Sequence, residues 1–294
     1  MITLWLTLAL LAIFFYGVSM VAQKVALYDM PAAEMIFLSL IFWVPLYLIC
    51  IVPFVLNGSI WSITPMILVY ALLATSFGQI GYYTYVEAAE RGPISIVGSV
   101  TAAYPIMVIA FAIIILGETK EVTMLQLFGA LLITSSIIAL SFFHGGEQKK
   151  MPLGRRYYLL CLVTVFIWGL WAIFSKLTLD SMDPFLFIGI YAFIIPPVTL
   201  GYYRFKNIRV RDAIPKWSRS LKIAIASSIF GNIAFFAEIV AISQGPASIV
   251  FPLVASSPLV VVILAYGFLK ERLAQREWAL IAAVIAGIIM VSTA

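Results

Sequence analysis

Glu238 is the side chain in this 294-residue chain whose placement most clearly asks for a chemical role. It stands among Phe235, Phe236, Ile239 and Val240, well inside an apolar stretch. A carboxylate in the middle of a membrane span costs about 2.5–3.5 kcal/mol on insertion scales, so it needs a partner or a purpose. It is expected to bind a cationic group or to exchange a proton, the plainer alternative being a structural hydrogen bond across helices. Gln79 and Asn232 are amides deep in apolar stretches, Asn232 in the same one as Glu238, and buried amides require partners. They suggest either the walls of a shared polar cavity or interhelical bonds.

Aromatic residues crowd the same stretches: Tyr82, Tyr83 and Tyr85 near Gln79, Phe235 and Phe236 near Glu238, and Trp168, Trp171, Phe15, Tyr16 and Tyr104 elsewhere. An aromatic box beside a carboxylate suits an organic cation, whereas aromatics on a lipid-facing surface are ordinary. Lys24, Lys176 and Glu34 lie near stretch ends and are candidates for a gate or for coupling. The lysines are equally served by snorkelling to the headgroups.

Other chemistries find little support. There is one histidine, His144, and two cysteines, Cys50 and Cys161, both within apolar stretches. Neither a metal site nor a disulfide framework is expected from them. No Ser/Lys or Asp/Asp pair, nucleotide loop or phosphate-cradling glycine motif is found, so neither enzyme catalysis nor ATP-driven movement is expected, and no cofactor.

The elements that must position these residues follow from composition. Sixty-four per cent of residues are hydrophobic and 11% charged, with a mean hydropathy of +1.10. That is too apolar for a soluble surface. Stretches of the roughly 20 residues needed to span a bilayer recur throughout, at 3–22, 32–56, 64–86, 94–116, 123–143, 157–175, 184–203, 221–243, 247–269 and 274–293. The first reads as a span and not as a cleavable signal, because it has no basic leading segment. The expectation is an all-α integral membrane protein of ten spans.

Net charge is +5, but the basic residues fall in connections, a topology signal and not a nucleic-acid patch. Of the 18 lysines and arginines, all but Lys120 and Lys176 lie on the face carrying the loops after spans 1, 3, 5, 7 and 9. That face is expected to be cytoplasmic, with both termini outside.

The chain also repeats itself. A shift of 153 residues carries Phe77-Gly78-Gln79-Ile80 onto Phe230-Gly231-Asn232-Ile233, and Gly92-Pro93 onto Gly245-Pro246. It also carries Pro105 onto Pro258 and Glu118 onto Glu271, while a shift of 152 carries Tyr16-Gly17 and Lys24 onto Trp168-Gly169 and Lys176. The expected organisation is one five-span unit at 1–143, a linker at 144–156 and a second unit at 157–294. Five is odd, so two such units insert with opposite orientation, and inverted repeats of this kind recur in secondary transporters with a site between the halves. The Gly-Pro pairs read as tight turns. Pro105 and Pro258 read as mid-span kinks, which shape a central cavity or serve helix packing.

These features together resemble the EamA-type branch of the drug/metabolite transporter superfamily: the aromatic-Gly pair, the following Lys24, the Gly-Pro turn, the mid-span proline, and Glu118 and Glu271 ending the fourth and ninth spans. The resemblance covers essentially the whole chain. It implies secondary transport of amino acids, other metabolites or organic cations, with spans 1, 3, 4, 6, 8 and 9 around the cavity and spans 5 and 10 peripheral. Two features depart from it. Glu34 stands where many members carry an arginine early in span 2, and many members place their termini in the cytoplasm. The expected partners are a small-molecule substrate, most simply cationic or zwitterionic, membrane lipid, and a coupling proton or sodium ion, in a monomer or homodimer. A lipid-linked flippase and a carrier of anionic metabolites remain the alternatives.

Overall fold

The computed structural model describes residues 4–92, 94–118, 122–144, 155–269 and 275–292, and among them every regular element is helical. The first half comprises α1 (Leu4–Ala26), α2 (Ala32–Leu38), α3 (Val44–Leu56), α4 (Pro65–Arg91), α5 (Ile94–Thr101), α6 (Tyr104–Phe111) and α7 (Met124–His144). The second comprises α8 (Arg155–Leu179), α9 (Pro184–Lys206), α10 (Arg219–Gln244), α11 (Ala247–Val254), α12 (Pro258–Leu269) and α13 (Gln275–Ser292). A π-helical turn at Ser39–Trp43 joins α2 to α3, and another at Ala112–Leu116 prolongs α6. Seven helical segments are long and apolar enough to cross a membrane, and Tyr104–Leu116 and Met124–Ala139 are shorter apolar helices. Helices suit this composition because in lipid every backbone group must be satisfied within its own segment.

Local chemistry sets several ends. Thr64 and Asp183 accept backbone N–H groups from Ile67 and from Phe185, each just ahead of a proline at the first helical position. Side-chain caps followed by Pro are strong start signals. Ser218 opens α10 in the same way through Leu221 N–H. Within the helices the buried Thr75, Thr134, Thr164, Thr178 and Thr199 return their hydroxyls to the carbonyl four residues back, which gives each of these hydroxyls an acceptor.

The main packing pairs are α1 with α10, α4 with α8, α3 with α9 and α7 with α13. In a bilayer such pairs are held by close van der Waals approach, which small residues permit. At the α7–α13 contact a Cβ on Gly129 would lie 2.9 Å from Gly287 O, and one on Gly287 2.8 Å from Gly129 O. Ala282, Ala283, Ala286 and Gly287 form a run of small residues on α13, and its Gly287 is used for close packing inside the protomer. Helices α1 and α10 are antiparallel, since Tyr16 meets Glu238 and Ser19 meets Ser227. Helices α4 and α8 are antiparallel too, with Thr84 on Thr164 and Gly92 under Tyr157. By contrast α1 and α4 end together, where Lys24 Nζ donates to the carbonyls of Ala89 and Gly92 at 2.8 and 2.9 Å.

The second half repeats that last contact. Lys176 Nζ, at the end of α8, donates to Ile242 O and Gly245 O at 3.4 and 3.2 Å and pairs with Asp180 at 2.8 Å. The residues involved are those that the sequence repeat aligns. The two lysines therefore do not snorkel freely. Each neutralises the carbonyl end of the third long helix of its own half, where a cation is favoured by unpaired C=O groups and the helix dipole.

The backbone refines one expectation, the tight turns at the Gly-Pro pairs, and corrects another, the proline kinks. Gly92 and Gly245 have extended backbones (φ −152° and −119°), not left-handed ones. Glycine is needed there for close approach: a Cβ would sit 2.3 Å from the Tyr157 ring at Gly92 and 2.9 Å from Trp5 at Gly245. Trp5 and Tyr157 are themselves repeat-related, each opening the first helix of the opposite half. Pro246 is the N-cap of α11, one place before the helix, and Pro93 lies outside the described residues. Nor do Pro105 and Pro258 kink continuous helices. The chain breaks at Ala102–Ala103 and at Ala255–Ser257, and each proline sits in the first turn of the helix that follows, where its missing N–H costs nothing.

Candidate functional site

Both breaks open onto a cavity of about 200 Å³ between the two halves. The first half contributes Tyr16, Ser19, Met20 and Gln23 from α1, Trp43 and Tyr47 from the second membrane segment, and Gly78, Gln79, Tyr82 and Tyr85 from α4. Thr101, Ala102 and Tyr104 come from the first break. The second half contributes Trp168 and Trp171 from α8, Tyr191 from α9, and Ser227, Ser228, Gly231, Asn232, Phe235 and Glu238 from α10. Val254, Ala255, Ser257 and Pro258 come from the second break.

The α10 residues fall at 227/228, 231, 235 and 238, three and four apart, which is one face of a helix. The α4 residues 78, 82 and 85 follow the same rule. Glycine on these faces admits large rings: a Cβ on Gly81 would meet Trp168 at 2.4 Å, and one on Gly78 would meet Tyr191 Oη at 2.7 Å and Trp171 at 2.9 Å.

At one end of the cavity Glu238, 2% exposed, accepts a 2.6 Å hydrogen bond from Tyr16 Oη. Its second oxygen takes no hydrogen bond among the described residues. Trp171 Nε1 donates to Tyr191 Oη at 2.7 Å, and Trp171 and Tyr104 each set an edge against Phe251. Asn232 accepts from Tyr47 Oη at 2.6 Å and donates to Ser228 O at 2.7 Å, so most of its bonding capacity is used within the protein.

The other end differs. Gln23 lies seven residues after Tyr16 on α1, about 10 Å along the helix at 1.5 Å per residue. It donates to Tyr82 Oη at 3.4 Å, and Tyr82 packs on Trp43 at a 4.7 Å centroid distance. Tyr85 lies against Trp168 at 5.3 Å. Three buried donors on cavity-lining residues have no hydrogen-bond partner among the described residues: Trp43 Nε1, Gln79 Nε2 and Tyr85 Oη. A buried donor left unmet costs about 1–3 kcal/mol, so this wall is chemically ready for an acceptor. Tyr85 and Glu238 occupy equivalent positions of the repeat on antiparallel helices, which puts a donor and an acceptor at opposite ends of the chamber.

Not every candidate comes to the cavity. Tyr83 is buried away from it and hydrogen-bonds the hydroxyl of Thr199 on α9. Phe15 stacks on Phe230, with centroids 5.9 Å apart, and Phe236 faces a separate groove. Lys24 and Lys176 are the helix-end cations described above, and Glu34 sits in the first turn of α2, outside the cavity. Gly92, Gly245 and Pro246 are at the ends of the bundle, and Pro105 is buried beside the first break. At one end Glu87 gathers Lys206 at 2.5 Å, Arg91 at 3.5 Å and Arg156 at 3.8 Å, tying α4 to the second half. Among the described residues no group of His, Cys, Asp and Glu could hold a metal ion.

Sequence reasoning did not find Trp43, Tyr47 and Tyr191. They belong to the second and seventh membrane segments, which the family resemblance leaves out of the cavity wall. Their segments carry no buried amide or acid to draw attention to them.

An all-helical, multi-pass membrane protein with a partly polar cavity between its halves is built for handling a solute within the bilayer. A sequence model of the EamA-like transporter family matches residues 3–142 and again 155–293. The chain belongs to that family, with two EamA repeats, and is a membrane transporter. It is 27% identical over 229 residues to an uncharacterized transporter of Archaeoglobus fulgidus, covering 77% of this chain and 76% of that one. Its fold matches a protein of known crystal structure with a TM-score of 0.73 at 14% identity, over 97% of this chain and 95% of that one.

Proposed function

We propose that this protein is a secondary active transporter of a small organic solute, cationic or zwitterionic, working by alternating access across the cytoplasmic membrane. The observation that carries the reading is the cavity's two-ended chemistry. Glu238 offers a carboxylate oxygen among aromatic rings, which suits a cation. Trp43, Gln79 and Tyr85 offer unmet donors, which suit a carboxylate or carbonyl.

The mechanism rests on symmetry. In this reading the shorter helices α5–α6 and α7, with α13, complete ten spans in two inverted sets of five. The exchange of partners supports it, because α1 and α4 run one way while α10 and α8 run the other. Two near-equivalent packings of inverted halves can then alternate around a fixed site. The basic ends of α4, α8 and α9 face the cytoplasm under the positive-inside rule, which leaves both termini outside. A proton or sodium gradient supplies the energy.

The test is a thermal-shift screen of the purified protein against amino acids, quaternary amines, nucleosides and sugar phosphates, beside Glu238→Gln. A ligand that binds the folded state raises its melting temperature by mass action. A shift with amines or amino acids that disappears in the variant supports the reading. A shift with phosphates, unchanged by the variant, replaces it with anion transport.

A further inference from the structure

Helix α10 walls two spaces at once. One face, with Gly231, Phe235 and Glu238, lines the cavity between the halves. The next face round, with Ile229, Ile233, Phe236 and Val240, lines a groove of about 660 Å³ closed on its other sides by Leu8 and Leu11 of α1, Phe42, Leu46 and Phe185. Apart from Ser228 and Asn232 every residue of this groove is apolar, and those two also line the cavity. Leu11, Phe42, Leu46, Phe185, Ile229 and Ile233 are exposed on the outer surface of the bundle, at 38–55%.

The groove is therefore open to the hydrocarbon phase along its length and adjoins the cavity at Ser228 and Asn232. What separates the two is Tyr47, whose hydroxyl is bonded to Asn232 Oδ1 and whose ring packs on Phe235 and Phe236 with centroids 5.9 and 6.0 Å apart. From Ile229 to Val240 the groove follows about 16 Å of helix at 1.5 Å per residue, the reach of a medium alkyl chain.

We propose that this groove is a lateral binding site for the alkyl tail of an amphiphilic solute whose head group occupies the cavity, with Tyr47 and Asn232 as the door between them. The head-group half of this proposal rests on the cation reading of Glu238; the tail half rests on the groove alone. A charged head gains nothing by staying in lipid and meets the Glu238 carboxylate in the cavity, while a tail too long for a space of about 200 Å³ has the adjoining groove to extend into. The Ser228–Asn232 edge shared by the two spaces begins, at Asn232, about 9 Å along α10 from Glu238 at 1.5 Å per residue, within reach of one molecule whose head is at Glu238 and whose tail is in the groove.

The experiment measures binding of n-alkyltrimethylammonium ions, from methyl to dodecyl, to the full chain in nanodiscs, with n-alkyl carboxylates of the same lengths beside them. The variants are Ile233→Trp and Leu11→Trp, which fill the groove from opposite walls at exposed positions. Affinity referred to the aqueous concentration is expected to rise by up to about fourfold per methylene in the native protein. In both variants that slope should flatten while tetramethylammonium binds as before. A slope unchanged in both variants is partition into the bilayer and overturns the proposal, as does a native protein with no slope. If the ammonium series fails but the carboxylates give a groove-dependent slope, the groove stands and the cation reading of Glu238 falls. If neither series gives one, the groove falls.

Discussion

Tyr16 and Glu238, 222 residues apart, meet through a 2.6 Å hydrogen bond inside the cavity and so join the first helix of one half to the third long helix of the other. The bond holds one carboxylate oxygen and aims the other. Tyr16→Phe removes a bond to a buried carboxylate, a contribution of about 1.5–3 kcal/mol where the acceptor is charged. Substrate affinity is expected to fall at least about tenfold, with the fold intact by circular dichroism. Unchanged affinity in an equilibrium binding assay would show that the phenol does not orient the acid.

Lys24 and Lys176 cap the carbonyl ends of α4 and α10. Lys24→Met should destabilise the protein by about 1–3 kcal/mol, because two carbonyls lose a charge-assisted donor. Lys176→Met should act in the same direction, and the double variant should be close to additive since the two sites share no partner. Thermal unfolding in detergent measures this. A destabilisation absent from both single variants would leave snorkelling as the better account.

Glu118 binds the backbone N–H groups of Ala247 and Ser248 at 2.8 and 3.0 Å and the Ser248 hydroxyl at 2.6 Å. It is a carboxylate of the first half seated on the start of α11 in the second, where a negative charge is favoured. Glu118→Ala is expected to lower stability by about 2 kcal/mol or more, and Ser248→Ala by about 1 kcal/mol. Equal losses from the two, read from unfolding midpoints, would mean that the hydroxyl carries the contact and the backbone bonds do not.

Gly92→Ala places a methyl group against Tyr157, the nearest ring atom 2.3 Å away. Overpacking of this kind typically costs about 1–3 kcal/mol. Tyr157→Leu should recover part of that loss in the double variant, whereas a loss independent of residue 157 would point to the backbone.

The family, the internal repeat and much of the cavity wall were legible in the sequence because they are marked by rare residues in an apolar background. Glu238, Gln79 and Asn232 stand out there, and the structure places all three around one space. Tyr83 was not separable from Tyr82 and Tyr85, since successive residues differ by about 100° around a helix of 3.6 residues per turn and the lipid side is equally rich in aromatics. Tyr47, Trp43 and Tyr191 were missed for the opposite reason, being ordinary aromatics with no polar marker near them, since Glu34 stands only at the start of the second segment. The prolines at 105 and 258 announced a disturbance, but a kink and a complete break read alike in sequence. What distinguishes them are the turns at Ala102–Ala103 and Ala255–Ser257, built from residues that are common within helices too.

The most direct test of the central claim is solute counterflow in proteoliposomes, using the ligand that most stabilises the native protein. Vesicles loaded with that unlabelled ligand should accumulate the labelled form transiently, while Glu238→Gln vesicles should show little uptake above empty liposomes. Binding without counterflow in the native protein, or full counterflow in the variant, would contradict a transport cycle that turns on the carboxylate of Glu238.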